Sequence, residues 1–318
     1  MALLARVADR LYWAARYLER AEDTARIIRA HHELVVDYPG DAMLRWEPLC
    51  AISGAVPTLE LEPDDVAGER AVLTYLIADR SNPGSIVSCV SRSRENLRTT
   101  REVMPREAWQ ALNGLSQYVD AAAPSAVRRR LRDRFLARVI DDSRRLDGVL
   151  DSTMTRANPF RLFRLGRLVE RADMTTRVLG VAAAGVLDAA RDGRGERADL
   201  VNEQVRWMSV LRSVSALQMY QRAVRGPIDG TAVVRFLMGY AAFPRSVQSC
   251  FDEIRTTVLA LPRPDRVLAS LDSAEAMLYA ADLHNPDADR LDRSMDRVQT
   301  AIEELAATIH ATYIGESL

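Results

Sequence analysis

Residues 16–26 read RYLERAEDTAR, and residues 167–177 read RLVERADMTTR. Both stretches place acids, arginines and a threonine at the same spacing beside an apolar seam. The matching positions are 151 residues apart, since 167 minus 16 is 151, and they pair Arg16 with Arg167, Glu19 with Glu170, Arg20 with Arg171, Glu22 with Asp173, Thr24 with Thr175 and Arg26 with Arg177. Agreement at so many positions indicates an internal repeat.

A second block recurs at a larger offset. Because 250 minus 89 is 161, the pairs are Trp46 with Trp207, Leu76 with Leu237, Pro83 with Pro244, Ser85 with Ser246 and Cys89 with Cys250. An insertion in the second copy, such as DGRGER at residues 192–197, accounts for the change of offset. The pattern predicts an internal duplication of two related helical halves, residues 1–157 and 158–318, that share one core.

Helical periodicity dominates the chain. Apolar residues spaced by three and four recur at Leu11, Ala14, Leu18, Ala21, Ala25 and Ile28. This spacing predicts a first helix over residues 3–37 with one face in a bundle. Later Pro and Gly breaks fall at residues 57–63, 82–83, 105, 124, 158–159, 192–195, 226–227, 243–244 and 262–264. They predict an all-α bundle of about ten helices.

Composition narrows the function classes. The 43 basic and 44 acidic residues nearly cancel, which disfavours nucleic-acid binding. All the basic residues are arginine, so neither a P-loop nor a pyridoxal Schiff base can be built. Three dispersed cysteines, and the absence of an export signal or an uncharged apolar span, predict a soluble cytoplasmic protein without membrane contact.

The repeated acids supply the candidate site. On a helical wheel Glu22 borders the apolar stripe, so its carboxylate needs a partner, and Arg26 follows four residues later. One interpretation is that such pairs only fix helix register. The other is a polar binding cavity between the two repeat helices, lined by Glu19, Glu22, Arg26, Glu170, Asp173 and Arg177.

Metal chemistry has little support in the sequence. A ferritin-like di-iron site needs Glu-x-x-His motifs, and none of the four histidines completes one. An all-carboxylate Mg²⁺ site stays open, although Mg²⁺ usually also relies on substrate phosphates. No metal ligand is therefore assigned.

Two further stretches are secondary binding candidates. FPRS at residues 243–246 precedes a predicted helix, where Arg245 and Ser246 either hold an anion or cap the helix. In SRSREN at residues 91–96, Arg94 and Glu95 either bind a ligand or belong to a solvated helix face.

Several dispersed motifs together resemble the alpha-E domain family of bacteria. They are RVADRLYWAARYLERAEDTAR at 6–26, NPGSIVSCVSRSRENLRTTRE at 82–102, Trp109 with Asn113, RLGRLVERADMTTRVL at 164–179 and FLMGYAAFPRSVQSC at 236–250. The likeness covers nearly the whole chain. Small departures are Asp23, Ser93 and Leu97, where Asn, Ala and Ala are expected, and none touches the acid–arginine pattern.

The resemblance implies a helical protein that works with an ATP-grasp amide ligase, often with a transglutaminase-like peptidase nearby. It therefore implies that this chain is the non-nucleotide, peptide-positioning component of a peptide synthesis or tagging system. Two alternatives stay open at this point. The chain could itself be an enzyme, with Glu22 and Asp173 as acid and base or metal ligands, or it could be a purely structural scaffold.

Overall fold

The computed structural model describes residues 5–37, 46–52, 65–191, 196–281 and 288–315. Over these ranges the chain forms thirteen α-helices and no strand, which confirms the all-α prediction. The helices are α1 Ala5–Asp37, α2 Pro48–Ile52, α3 Asp65–Ile77, α4 Ile86–Arg98, α5 Arg106–Ala126, α6 Arg129–Thr153, α7 Asn158–Arg191, α8 Glu196–Ser213, α9 Leu217–Ala223, α10 Gly230–Gly239, α11 Val247–Leu259, α12 Asp265–Ala280 and α13 Ala288–Tyr313. None of these described helices is long and apolar enough to cross a membrane.

Most of the predicted breaks separate helices. The count rises above ten partly because α2 and α9 are only five and seven residues long. The break expected at Pro124 is wrong, since this proline lies inside the last turn of α5. A proline at this position removes one backbone hydrogen bond of the last turn, and α5 ends two residues later, at Ala126. The breaks expected at residues 57–63 and 192–195 lie outside the described residues.

Helices α1 and α7 form the centre of the bundle and pack against each other. The predicted apolar stripe of α1 is confirmed, because all six of its residues are buried. Around this pair, α1 also contacts α4 and α6, while α7 contacts α11 and α13. The outer helices then pack in the same way, α5 against α4 and α6, and α12 against α11 and α13.

The two central helices touch through their backbones at Gly166. A Cβ atom at this position would collide with the carbonyl oxygen of Tyr12 and crowd the side chain of Ala15. Only glycine allows this approach, which brings the polar residues one turn further along both helices within reach of each other.

Equivalent elements recur along the chain. Helix α11 begins and ends 161 residues after α4 (247 minus 86, and 259 minus 98). Both helices are capped by a serine that accepts from the backbone N–H three residues later, Ser85 from Ser88 at 3.2 Å and Ser246 from Ser249 at 3.0 Å. These matches support the duplication and the division into residues 1–157 and 158–318, both of which stay predictions.

Candidate functional site

Glu19 of α1 is completely buried and accepts hydrogen bonds from two arginines of α7. Arg167 donates from Nε at 2.9 Å and from Nη2 at 2.6 Å, and Arg171 donates from Nε at 2.8 Å. A buried carboxylate is tolerated only when cations and donors surround it in this way.

Glu170 of α7 is also completely buried and makes the reciprocal contacts with α1. Arg16 donates from Nε at 2.7 Å, and Arg20 donates from Nε to the other carboxylate oxygen. Each central helix therefore inserts one glutamate between two arginines of the other, and the two repeat stretches lock together through their shared pattern.

A third arginine reaches Glu19 from outside the central helices. Arg245, in the turn before α11, donates from Nη1 to Glu19 at 3.0 Å and to Asp23 at 2.9 Å. The hydroxyl of Thr175 donates to the Arg245 carbonyl at 3.0 Å and so fixes this turn to α7. The position 161 residues earlier is Gly84, so no equivalent arginine approaches Glu170 from the first half.

A second layer of charge surrounds Arg26. Its guanidinium, only 3% exposed, donates to Glu22 and, at 2.6 Å, to Asp23. The predicted pair of Glu22 with Arg26 is thus confirmed. Arg144 of α6 adds a longer contact, with Nε 3.5 Å from the Glu22 carboxylate.

The matching layer in the second half is sparser. Arg177 donates to Asp173 at 2.9 Å, which confirms the predicted pair, and its Nη2 lies 3.7 Å from Glu303 of α13. Arg177 is also more exposed than Arg26, with 24% of its side chain accessible.

The two innermost glutamates are held ionised. Burial by itself raises the pKa of Glu19, but Arg167, Arg171 and Arg245 outweigh it and hold this pKa well below its ordinary value. Glu170 behaves in the same way, because Arg20 and Arg16 outweigh burial and lower its pKa.

The three acids further from the centre, Glu22, Asp23 and Asp173, differ in the direction of their pKa shifts. Burial raises the pKa of Glu22, but Arg26 and other arginines reverse the effect and lower it. Burial dominates at Asp23 and raises its pKa in spite of Arg245 and Arg26. Burial, with the neighbouring Glu170, likewise raises the pKa of Asp173. Asp23 and Asp173 are therefore the acids in the network that hold a proton most readily.

Two surface cavities adjoin this network. The first has a volume of about 380 Å³ and lies where α6, α7 and α11 meet. It is lined by Asp147, Gly148, Leu150, Asp151, Phe160, Phe163, Arg164, Arg167, Leu168, Arg171 and Glu253. Arg167 and Arg171, which hold Glu19, thus also face this cavity.

The second cavity has a volume of about 400 Å³ and lies between α1, α6 and the start of α9. It is lined by Arg26, Arg29, Ala30, Glu33, Ile140, Arg144, Arg212, Ser215, Leu217, Gln218 and Met219. Of the six predicted site residues, Arg26 lines the second cavity and the other five line neither of these two cavities. The four acids among them are instead paired with guanidinium groups.

The four secondary candidates, Arg94, Glu95, Arg245 and Ser246, have different roles in the structure. Arg245 joins the network, whereas Ser246 caps α11. Arg94 donates to Asn113 at 2.8 Å and stacks near the ring of Trp109, while Glu95 pairs with the exposed Arg98. The structure therefore brings Arg245 into the candidate site but not Arg94 and Glu95.

The reciprocal arginines Arg16, Arg20, Arg167 and Arg171, together with buried Asp23, were not predicted as site residues. On a single helical wheel Arg16, Arg20 and Asp23 point away from the apolar stripe, but the wheel ignores a partner helix at backbone contact. The repeat itself could have indicated these arginines. If two helices with this pattern pack against each other, the glutamate of each helix lies against the arginines of the other helix.

The structure also bears on metal binding. In the described ranges, no group of three or more His, Cys, Asp or Glu side chains could hold a metal ion. The carboxylate oxygens of Glu19 are instead engaged by guanidinium groups.

The fold and site together define a class: an all-α protein whose two central helices exchange buried Glu–Arg pairs. A family model, described as a predicted alpha-helical domain with a conserved ER motif, matches residues 3–314. The chain therefore belongs to the alpha-E family. Its two central Glu–Arg dipeptides are Glu19–Arg20 and Glu170–Arg171.

Similar curated proteins are uncharacterized mycobacterial proteins. One from Mycobacterium bovis and those from two strains of Mycobacterium tuberculosis are each 23% identical over 334 residues, covering 96% of this chain and 35% of the relative. The chain thus spans about a third of the length of these relatives. No solved structure matches it.

Proposed function

We propose that this chain is the non-nucleotide component of an ATP-grasp-dependent system that joins or tags peptides in bacteria, and that it binds and positions the peptide. The ATP-grasp enzyme would transfer the γ-phosphoryl group of ATP to a carboxylate. An amine would then attack the resulting acyl phosphate, form the amide and release phosphate. A transglutaminase-like peptidase is a further proposed partner, and the peptide is the proposed ligand.

The first cavity carries this proposal. Its lining combines three arginines with three acids, and two phenylalanines provide apolar surface. A peptide offers the same mixture, since it has polar backbone groups, charged ends and apolar side chains. Arg167 and Arg171 belong both to this lining and to the buried network, so the network holds two cavity side chains in fixed positions.

Two other observations support the proposal. The mycobacterial relatives are about three times longer than the segment they share with this chain, which is compatible with another unit working beside it. The three cysteines are buried and form no disulfide, as in proteins of a reducing compartment, which supports a cytoplasmic location.

The test uses Arg164, a half-exposed cavity residue that donates to Glu253 at 2.7 Å. The chain is purified together with the proposed ATP-grasp ligase, and peptide-dependent ADP release is measured. Arg164→Gln should raise the KM for the peptide about tenfold, a loss of one charged hydrogen bond, without changing the melting temperature.

The matched control is Arg80→Gln. Arg80 is an exposed arginine that pairs with Asp120 and lines neither cavity. Equal kinetics for the two variants would remove the peptide site from the first cavity. Failure to recover any ATP-grasp ligase with the chain would remove the partnership itself.

A structural scaffold is the second candidate function, and burial favours it. Glu22 and Asp173 are 1% and 4% exposed, as expected if they fix helix register. Combining Glu22→Gln with Asp173→Asn separates the readings: a scaffold loses stability and activity together, whereas a functional pair loses activity with little change in melting temperature.

A further inference from the structure

The second cavity is lined by more positive than negative side chains. Its lining holds four arginines and a single acid, Glu33. The arginines come from three helices, Arg26 and Arg29 from α1, Arg144 from α6 and Arg212 from α8. Guanidinium groups that converge on one cavity are the usual means of binding carboxylate and phosphate oxygens.

Within the described ranges, the acids that contact Arg29 and Arg212 are all exposed. Arg29 donates to Asp133 at 2.9 Å and lies 3.4 Å from Glu33, and Arg212 donates to Asp37 at 3.2 Å. Asp133 and Asp37 are more than half exposed. Ion pairs of this kind contribute about 0–1 kcal/mol each, so a bound anion can replace the acids at small cost.

Arg144 is the least committed of the four. Its closest carboxylate is that of Glu22, 3.5 Å away, and Glu22 already accepts from Arg26. Its other contact is a 3.3 Å hydrogen bond to the hydroxyl of Ser215, which also lines the cavity. Half of the Arg144 side chain is exposed, so its guanidinium group is available to a ligand.

Arg26 forms the buried part of the lining. Its Nη atoms donate to Glu22 and Asp23, but its Nε–H is buried and has no hydrogen-bond acceptor within the described ranges. Because this Nε–H has no accessible surface, a ligand in the cavity does not reach it. Arg26 therefore contributes to the cavity as a buried positive charge in its lining and not as a free donor.

The equivalent region of the second half does not share this charge. Helix α13 begins 159 residues after α6 (288 minus 129), and at that offset Glu303 stands where α6 has Arg144. The position 151 residues after Arg29 is Gly180. Arg29 and Arg144 therefore have no arginine counterpart at the equivalent positions of residues 158–318, so a role in helix register common to both predicted halves does not require them.

We infer that the second cavity is a binding site for an oxyanion, a phosphate or carboxylate group whose oxygens are held by Arg29, Arg144 and Arg212, beside the buried guanidinium group of Arg26. Ile140 and Leu217 form an apolar wall that takes the aliphatic part of the ligand, and Gln218 offers a polar contact beside it. This site is separate from the peptide cavity, so the inference does not rest on the proposed function.

Binding is tested on the full chain by isothermal titration at constant ionic strength. The probes are inorganic phosphate, acetyl-dialanine with a free carboxylate, and its C-terminal amide. The variants are Arg144→Gln and Arg212→Gln, both partly exposed in the folded chain, and Arg80→Gln is the matched control.

Wild type and Arg80→Gln should bind at least one of the two anions, and each cavity variant should bind it about tenfold more weakly, as expected for losing a charge-assisted hydrogen bond. Binding of phosphate alone identifies a phosphate group as the ligand. Binding of the free peptide but not its amide identifies a chain-end carboxylate. Equal affinities in all variants, or no binding of either anion, would overturn the inference.

Discussion

Glu19 and Glu170 lie in the same sequence pattern, but more positive charge surrounds Glu19 than Glu170 in the structure. Both glutamates are buried between two arginines of the opposite central helix. Glu19 alone receives a third arginine, Arg245, where the first half has Gly84. The shared pairs join α1 to α7, and Arg245 is the residue that makes the surroundings of Glu19 differ from those of Glu170.

This difference separates two roles that the repeat combines. A contact present in both halves serves the packing of α1 against α7, which both halves need. In the predicted duplication Arg144 of α6 corresponds to Glu303 of α13, so the positive charge of Arg144 is not required by that packing. Function is therefore best sought where the two halves disagree.

The largest effect should come from removing the central carboxylates. Glu19→Gln leaves three partly buried arginines without their shared anion, and we expect a loss of about 3–5 kcal/mol in the free energy of unfolding. Glu170→Gln strands only two arginines, so its loss should be smaller. Urea denaturation of both variants measures the difference, and an equal or reversed order would contradict the comparison.

A loss of stability of intermediate size should follow from removing Arg245, so that Glu19 keeps two arginine partners, as Glu170 has. Arg245→Gln leaves Glu19 with Arg167 and Arg171, the same number of partners that Glu170 has. We expect a loss of about 1–3 kcal/mol, because Asp23 also loses a donor. Urea denaturation beside Glu19→Gln tests it, and a loss as large as that of Glu19→Gln would mean that the third arginine is not an addition but the main partner.

The smallest effect concerns Asp173, whose folded-state pKa lies above the ordinary value of 3.8. A raised folded-state pKa stabilises the protein below the unfolded value, and this contribution is lost as pH rises through the folded value. Asp173→Asn should therefore change stability by less than about 1 kcal/mol at neutral pH.

As pH falls from neutral towards 3.8, the wild type should gain stability relative to Asp173→Asn, because only the wild type takes up the proton. Urea midpoints of both proteins over this pH range measure the gain. A difference between the two that stays constant with pH would show that folding does not raise the pKa of Asp173.

The sequence allowed the fold and part of the site to be predicted. Spacing alone identified the buried stripe of α1, and the four-residue separations identified the pairs of Glu22 with Arg26 and Asp173 with Arg177. These features are local, so one helix contains all the information needed. Pro124 lies two residues before the end of α5, and a proline in the sequence does not fix this distance.

Contacts between distant segments could not be predicted in the same way. The ion pairs across α1 and α7 depend on the close approach at Gly166, and a helical wheel does not contain that distance. Arg245 was considered only as part of a helix N-terminus, since nothing local indicates that its side chain turns inward to Asp23. The cavities likewise result from the packing of several helices.

Every cation that faces the buried carboxylates is a guanidinium group, and this has an electrical consequence. Guanidinium groups stay protonated over the pH range in which proteins remain folded, so they cannot pass protons along a chain. The network therefore acts as a fixed electrostatic field, whose strength is set by helix packing and not by the pH of the surroundings. Asp23 and Asp173, whose pKa values burial raises, are the carboxyl groups of this network that take up a proton first as pH falls, and their protonation is what changes that field.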